Sequence, residues 1–231
     1  SRKIRQWARR HLKDDFLEYV LLTMPLQQWK IVADLVHFTP SDFSLPYFLS
    51  TVHGGQLLEH SFVYAVKQLM ESSNVESGFI ALATEFPQVF QHYAYLRTHP
   101  RILSNKVIVN ELAQNIPLGT AIWYLEELAQ SSREVPELVK NRLSTETWKE
   151  DKTMSSFGKL LERVLTFRAR HWSVANELMS VAEKRLSVLK EQYASCRSGK
   201  TAVFGDASSS MEAAIQASTI LATMVSVCWN A

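Results

Sequence analysis

Seven prolines divide this 231-residue chain, and they fall at the joints of a helical hydrophobic period. Proline lacks a backbone N–H and clashes with the preceding turn, so it breaks a helix interior but suits a first turn. Ile4, Trp7, Ala8 and Leu12 begin an apolar stripe that runs on through Phe16 and Val20. After Pro25 the stripe resumes with Leu26, Trp29, Val32 and Val36. The same spacing predicts helices around 41–52, 56–71, 78–97, 105–115, 118–131, 134–143, 155–171 and 173–194. Asp42 and Glu137 follow Pro40 and Pro136, where an acid favours the helix dipole. Only seven glycines are present, which suits helices with short loops better than a turn-rich β-fold. The expected fold is mainly α, an α-solenoid of HEAT type over residues 1–195, with an irregular bundle as the other arrangement. No strict internal repeat is visible.

The helical period breaks once. Thr201-Ala202-Val203-Phe204-Gly205 is short, β-branched and aromatic, and reads as a buried strand entering a turn. Ser195 to Lys200 reads as a linker, which places a domain boundary near 196. A lone strand forms no sheet, so 196–231 is expected to be an incomplete second domain. Strand, then D-x-S-x-S-M, then helix resembles the opening unit of a von Willebrand factor A-like domain and its metal-ion-dependent adhesion site. Asp206 would supply a carboxylate, and Ser208 and Ser210 hydroxyls, to an octahedral Mg²⁺. The same letters also describe an Asx-type turn capping a helix, and the local chemistry leaves both readings open. The uncharged run 213–229 approaches membrane-spanning length, but its five Ser, Thr and Gln residues favour a buried helix over a membrane span.

Net charge is only +2, so any polyanion site must be a local patch. Arg2, Arg5, Arg9 and Lys13 fall at helical spacing on one side of the first helix, with Lys3 and Arg10 beside them. The stripe could neutralise phosphates, or be a solvated face balanced by Asp14, Asp15 and Glu18. A second cluster holds Arg163, Arg168, Arg170 and His171 next to Trp172, a base-stacking partner or a core residue. Arg97, His99 and Arg101 surround Pro100 in an expected loop. The two cysteines, Cys196 and Cys228, have no metal or disulfide spacing, which suits a reduced intracellular protein. Ser1 to Arg10 carries no signal-peptide core. No Ser/His/Asp order, phosphate loop or HExxH motif points to an enzyme. A helix-turn-helix reading of 106–128 fails because its second helix would offer Glu126 and Glu127 and no Arg or Lys, so DNA is not an expected partner.

The stretch YLRTHPRILSNKVIVNELAQNIPLGTAIWYLEELAQ resembles the TROVE-domain family of Ro-like RNA-binding proteins, above all at Ile116-Pro117-Leu118-Gly119-Thr120-Ala121-Ile122. ADLVHFTPSDF is similar to a second family turn, with His37 and Pro40 in register. The helices followed by DASSSM stand in the family order. Phe38 and Trp123-Tyr124-Leu125 replace a Lys and an R-N-L of the family pattern, which marks a divergent member. The resemblance implies a non-catalytic RNA-binding scaffold of a small-RNA ribonucleoprotein, cytoplasmic or also nuclear. It implies that His37 contacts RNA, that small non-coding or misfolded RNA is the partner, and that a von Willebrand A domain closes the helical ring. A helical scaffold that binds protein ligands through the metal is the alternative.

Three oxygens are about half of what Mg²⁺ requires. This chain is therefore expected to bind Mg²⁺ weakly or not at all. In a protein that carries the remaining loops, Asp206→Ala should abolish binding and leave the helical melting transition unchanged, while Ser208→Ala and Ser210→Ala should each weaken it less. Calorimetric titration checks this, and equal Mg²⁺ affinity in wild type and Asp206→Ala would reduce the loop to a capped turn.

Overall fold

The computed structural model describes residues 2–145 and 157–192, together with 219, 220, 222, 223 and 226. The described residues are mainly helical and include no strand. The expected strand at 201–205, the boundary near 196 and most of the apolar run 213–229 lie outside them. No helix among the described residues is long and apolar enough to cross a membrane.

The chain divides into two compact units, Ser1–Ile116 and Pro117–Ala231, so the division falls within the stretch expected as one helical domain. The first unit holds α1 (Arg2–His11), α2 (Asp14–Thr23), α3 (Leu26–Val36), α4 (Phe48–Val52), α5 (Phe62–Glu71), α6 (Val75–Glu85), α7 (Tyr93–Leu96), α8 (Pro100–Leu103) and α9 (Lys106–Asn115). Two 3₁₀ turns, Pro40–Asp42 and Pro87–His92, interrupt the series. In the second unit lie α10 (Leu118–Trp123), α11 (Leu125–Ser131), α12 (Val135–Thr145), α13 (Phe157–Ala169) and α14 (Val174–Gln192).

Prolines and polar caps set most of these limits. Pro25 and Pro117 stand just before α3 and α10, and Pro100 opens α8. Ser61 caps α5 by accepting from the Tyr64 N–H, and Asn74 caps α6 by accepting from the Ser77 N–H. The Asn105 side-chain Oδ1 accepts from the N–H groups of both Val107 (2.9 Å) and Ile108 (3.1 Å) at the start of α9. Each such cap stabilises its helix by about 1 kcal/mol.

Several expected helices are shorter than the periodicity suggests. The stripe from Ile4 to Val20 breaks at Lys13, whose backbone is extended (φ −96°, ψ 166°). The helix expected over 56–71 begins only at Phe62, because Ser61 is its cap. The one expected over 78–97 ends at Glu85: Phe86 precedes a proline and leaves helical geometry (φ −128°, ψ 75°), and the chain continues as a 3₁₀ turn. Over 118–131 the break comes at Tyr124 (φ −102°, ψ 16°).

Helix α2 lies at the centre of the first unit, against α4, α5, α7 and the 87–92 turn. Leu17 and Val20 are fully buried on it. Glu18 is buried on the same helix, and its Oε2 lies 3.1 Å from Nε2 of buried His92. The His92 ring also packs against Phe62, with centroids 4.9 Å apart. A buried carboxylate without a partner is strongly unfavourable, so this pair fixes how α2 meets the 87–92 turn. In the second unit α13 and α14 are joined by residues 170–173 and pack side by side, with α12 also against α14. Leu160, Val164, Phe167, Val174 and Leu178 form the fully buried seam.

Two helices end in the same way. His37 follows α3 in the left-handed region (φ 56°), its N–H donating to Asp34 O while the Phe38 N–H donates to Ala33 O. His171 follows α13 at φ 57°, with the N–H of His171 donating to Arg168 O and that of Trp172 to Phe167 O. Both are Schellman caps, and in the second the Trp172 and Phe167 rings complete the usual apolar contact at 5.5 Å. The left-handed region costs a non-glycine residue about 1 kcal/mol or more. His37→Gly and His171→Gly should therefore each stabilise the protein by about 0.5–1 kcal/mol after the extra unfolded-state entropy is subtracted. Thermal melts of the single and double variants check this, and a drop in midpoint would show that the imidazoles make contacts worth more than the strain.

Candidate nucleic-acid interface

Helix α1 contains no acid, and its cations do two different jobs. Arg5 and Arg9 stand one turn apart and both reach Asp42. Arg5 Nε donates to Asp42 Oδ2 at 2.8 Å, and Arg9 Nε donates to Oδ1 at 2.8 Å. The turn that presents Asp42 is Thr39-Pro40-Ser41-Asp42, a helix start with proline in its first turn and an acid reaching back. Thr39 donates its N–H (2.8 Å) and its hydroxyl (3.0 Å) to the same carboxylate, and the Thr39 hydroxyl accepts from Arg5 Nη2 at 3.1 Å. Asp42 is completely buried. Burial alone would push its carboxyl up, but the Thr39 N–H, the two guanidinium groups and the Thr39 hydroxyl outweigh it and hold the pKa at about 2.

This clasp decides which face of α1 is outward. Ala8 and Leu12 are buried beside Arg5 and Arg9, whereas Ile4 and Trp7 are 50% and 55% exposed. The apolar stripe read from the sequence is therefore rotated partly into solvent. The outward face carries Lys3, Trp7 and Arg10, spaced four and three residues apart and so in one row. Arg2, Lys3, Arg10 and Lys13 are exposed and make no ion pair among the described residues. Glu18, expected to balance them, is instead buried against His92.

The other expected contact residues are more dispersed. His37 is exposed at the end of α3, as the Schellman residue described above. Arg97 is half-buried directly after α7. Arg101 lies in α8 rather than in a loop, and its Nη2 donates to the Ser72 (2.6 Å) and Ser73 (3.3 Å) carbonyls beyond the end of α5. His99 packs on Tyr95 with centroids 4.7 Å apart, and burial pushes its pKa down, away from a cationic role. In the second unit Glu126 bridges Arg163 and Arg170. The Arg163 guanidinium lies 4.6 Å from the Trp123 ring centre and that of Arg170 lies 5.5 Å from Trp172. Arg168 alone of these arginines is exposed and unpaired among the described residues. Trp172 is half-buried in the α13 cap, where its ring meets Phe167 and the Arg170 guanidinium.

Asp206, Ser208 and Ser210 lie outside the described residues. Among the described residues no group of three His, Cys, Asp or Glu side chains could hold a metal. A cleft of about 750 Å³ lies along α5 and α6, and its charged lining includes Glu71 and Glu85, which does not suit a polyanion. Sequence reasoning missed two features of the interface, Asp42 as the receptor of Arg5 and Arg9 and Trp7 as a surface residue. The Thr-Pro-Ser-Asp capping pattern was the available signal for the first. No protein-family model, curated protein or solved structure matches the chain.

Asp42 titrates from an ordinary 3.8 in the unfolded chain to about 2 in the fold. Its contribution is complete above pH 4 and is lost as pH falls towards 2, and at about 1.4 kcal/mol per pKa unit it amounts to roughly 2 kcal/mol. Asp42→Asn should lower stability at neutral pH by about that amount and flatten the acid limb between pH 4 and 2. Urea melts across this range check it. An unchanged acid limb would mean that the clasp does not persist in solution.

Proposed function

We propose that this chain is the RNA-binding scaffold of a small-RNA ribonucleoprotein, acting by binding rather than by catalysis. The observation that carries this reading is the outward row of α1, where the unpaired cations Lys3 and Arg10 flank exposed Trp7 on a helix that holds no acid. Phosphate neutralisation by such a row supplies affinity regardless of sequence. The resemblance to TROVE domains supports the same reading, as does the mainly helical architecture, which a HEAT-like solenoid would share. On this view Arg2, Lys3, Arg10 and Lys13 meet phosphates, Arg168 and His37 offer further contacts, and Arg5 and Arg9 hold the helix in place. Asp206, Ser208 and Ser210 would begin a Mg²⁺ site in a von Willebrand A-like domain.

A second reading rests on α3. Ile31, Val32 and Leu35 are 51%, 43% and 74% exposed on one side of it, more apolar surface than a solvated helix needs. A protein partner seated there would make the chain an interaction scaffold.

Lys3→Glu with Arg10→Glu should weaken binding to labelled small RNA similarly across sequences. The salt dependence should fall by about 1.4 in slope, for two phosphates at about 0.7 each on a single strand. Fluorescence anisotropy at several salt concentrations checks both. No RNA affinity in the wild type at low salt would hand the function to the protein-scaffold reading.

A further inference from the structure

We infer that Trp7 is a base-stacking platform, so that the α1 face takes single-stranded rather than duplex RNA. This rests on the RNA reading above and narrows it to a substrate class. Trp7 is 55% exposed although it is the largest apolar side chain on its helix. The His11 ring lies 5.4 Å from the indole at 31°, and more than half of the Trp7 surface stays open. Lys3 stands one turn before it and Arg10 one turn after it, about 6 Å and 4.5 Å along the axis. A base stacked on the indole thus has a cation on each side for its flanking phosphates. Every base has a π-face, so such stacking tolerates any sequence. In a duplex those faces are covered by neighbouring base pairs, and only the backbone and the groove edges are available. The clasp to Asp42 keeps the helix from turning Trp7 inward, because that would strip a buried carboxylate of two of its donors. The same row does not suit a membrane surface. An interfacial helix segregates a broad apolar face from its cations, whereas here Lys3 and Arg10 share one row with Trp7.

The test measures the 231-residue chain by anisotropy against a labelled twelve-nucleotide single strand of uridines, a twelve-base-pair RNA duplex, and vesicles of phosphatidylcholine with phosphatidylserine. Trp7→Ala should weaken single-strand binding about tenfold, the loss of one stacked base, and leave duplex binding unchanged. Trp7→Phe should restore most of the single-strand affinity, which a purely structural role for the indole would not require. Because Trp7 is exposed, both variants should melt as the wild type does, and circular dichroism verifies this. Equal loss on single strand and duplex, or no loss on either, would overturn the stacking role while leaving the RNA reading intact. Wild type that binds neither RNA would overturn both. Trp7-dependent binding to the anionic vesicles alone would reassign the face to a membrane surface and also overturn the inference.

Discussion

The buried carboxylate of Asp42 governs the candidate interface. Removing a carboxylate from water is strongly unfavourable unless several donors replace the lost hydration. Here a backbone N–H, a hydroxyl and two guanidinium groups do so, and two of the four come from a helix more than thirty residues away in sequence. The carboxylate therefore fixes both the position of α1 and its rotation about its own axis. A helix with so little apolar burial would otherwise have several nearly equivalent ways to lie on the core.

The same device recurs with other chemistry. Glu18 and His92 join α2 to the 87–92 turn across 74 residues, and Glu126 gathers Arg163 and Arg170 in the second unit. In each case one acid ties together residues far apart in sequence, beside an apolar core that packs the same elements. The arginines of the second cluster are thereby absorbed into the fold, with tryptophan faces beneath them. Much of the positive charge that looks available in the sequence is already neutralised at short range. On α1, by contrast, Lys3 and Arg10 stay exposed and unpaired among the described residues, one on each side of Trp7.

Helix existence was legible because proline and cap residues act locally: Pro25, Pro100 and Pro117 begin helices wherever the tertiary fold places them. Helix length was less so. The period through 78–97 is good, but Pro87 removes an N–H and bends Phe86 out of the α region, and periodicity does not weigh that. The direction faced by α1 was not legible at all. Ile4, Trp7, Ala8 and Leu12 are a normal core stripe, and Arg5 and Arg9 at four-residue spacing look alike whether they meet a phosphate or an aspartate. The choice between these depends on Asp42, which lies in another element. The left-handed caps were equally hidden, since glycine or asparagine is the usual signal and histidine takes their place twice.

The way α1 is attached has a calorimetric consequence. Apolar surface exposed on unfolding raises the heat capacity, while polar surface lowers it. On α1 the residue most deeply buried is Ala8, and the main anchors are two guanidinium groups. Detaching this helix therefore changes the heat capacity less than detaching an apolar helix of the same length would, and its free energy curves less with temperature than that of the Leu- and Phe-rich remainder. The docking of α1 then gives way to acid below about pH 4, where Asp42 takes up its proton, and responds little to salt, because the carboxylate is buried.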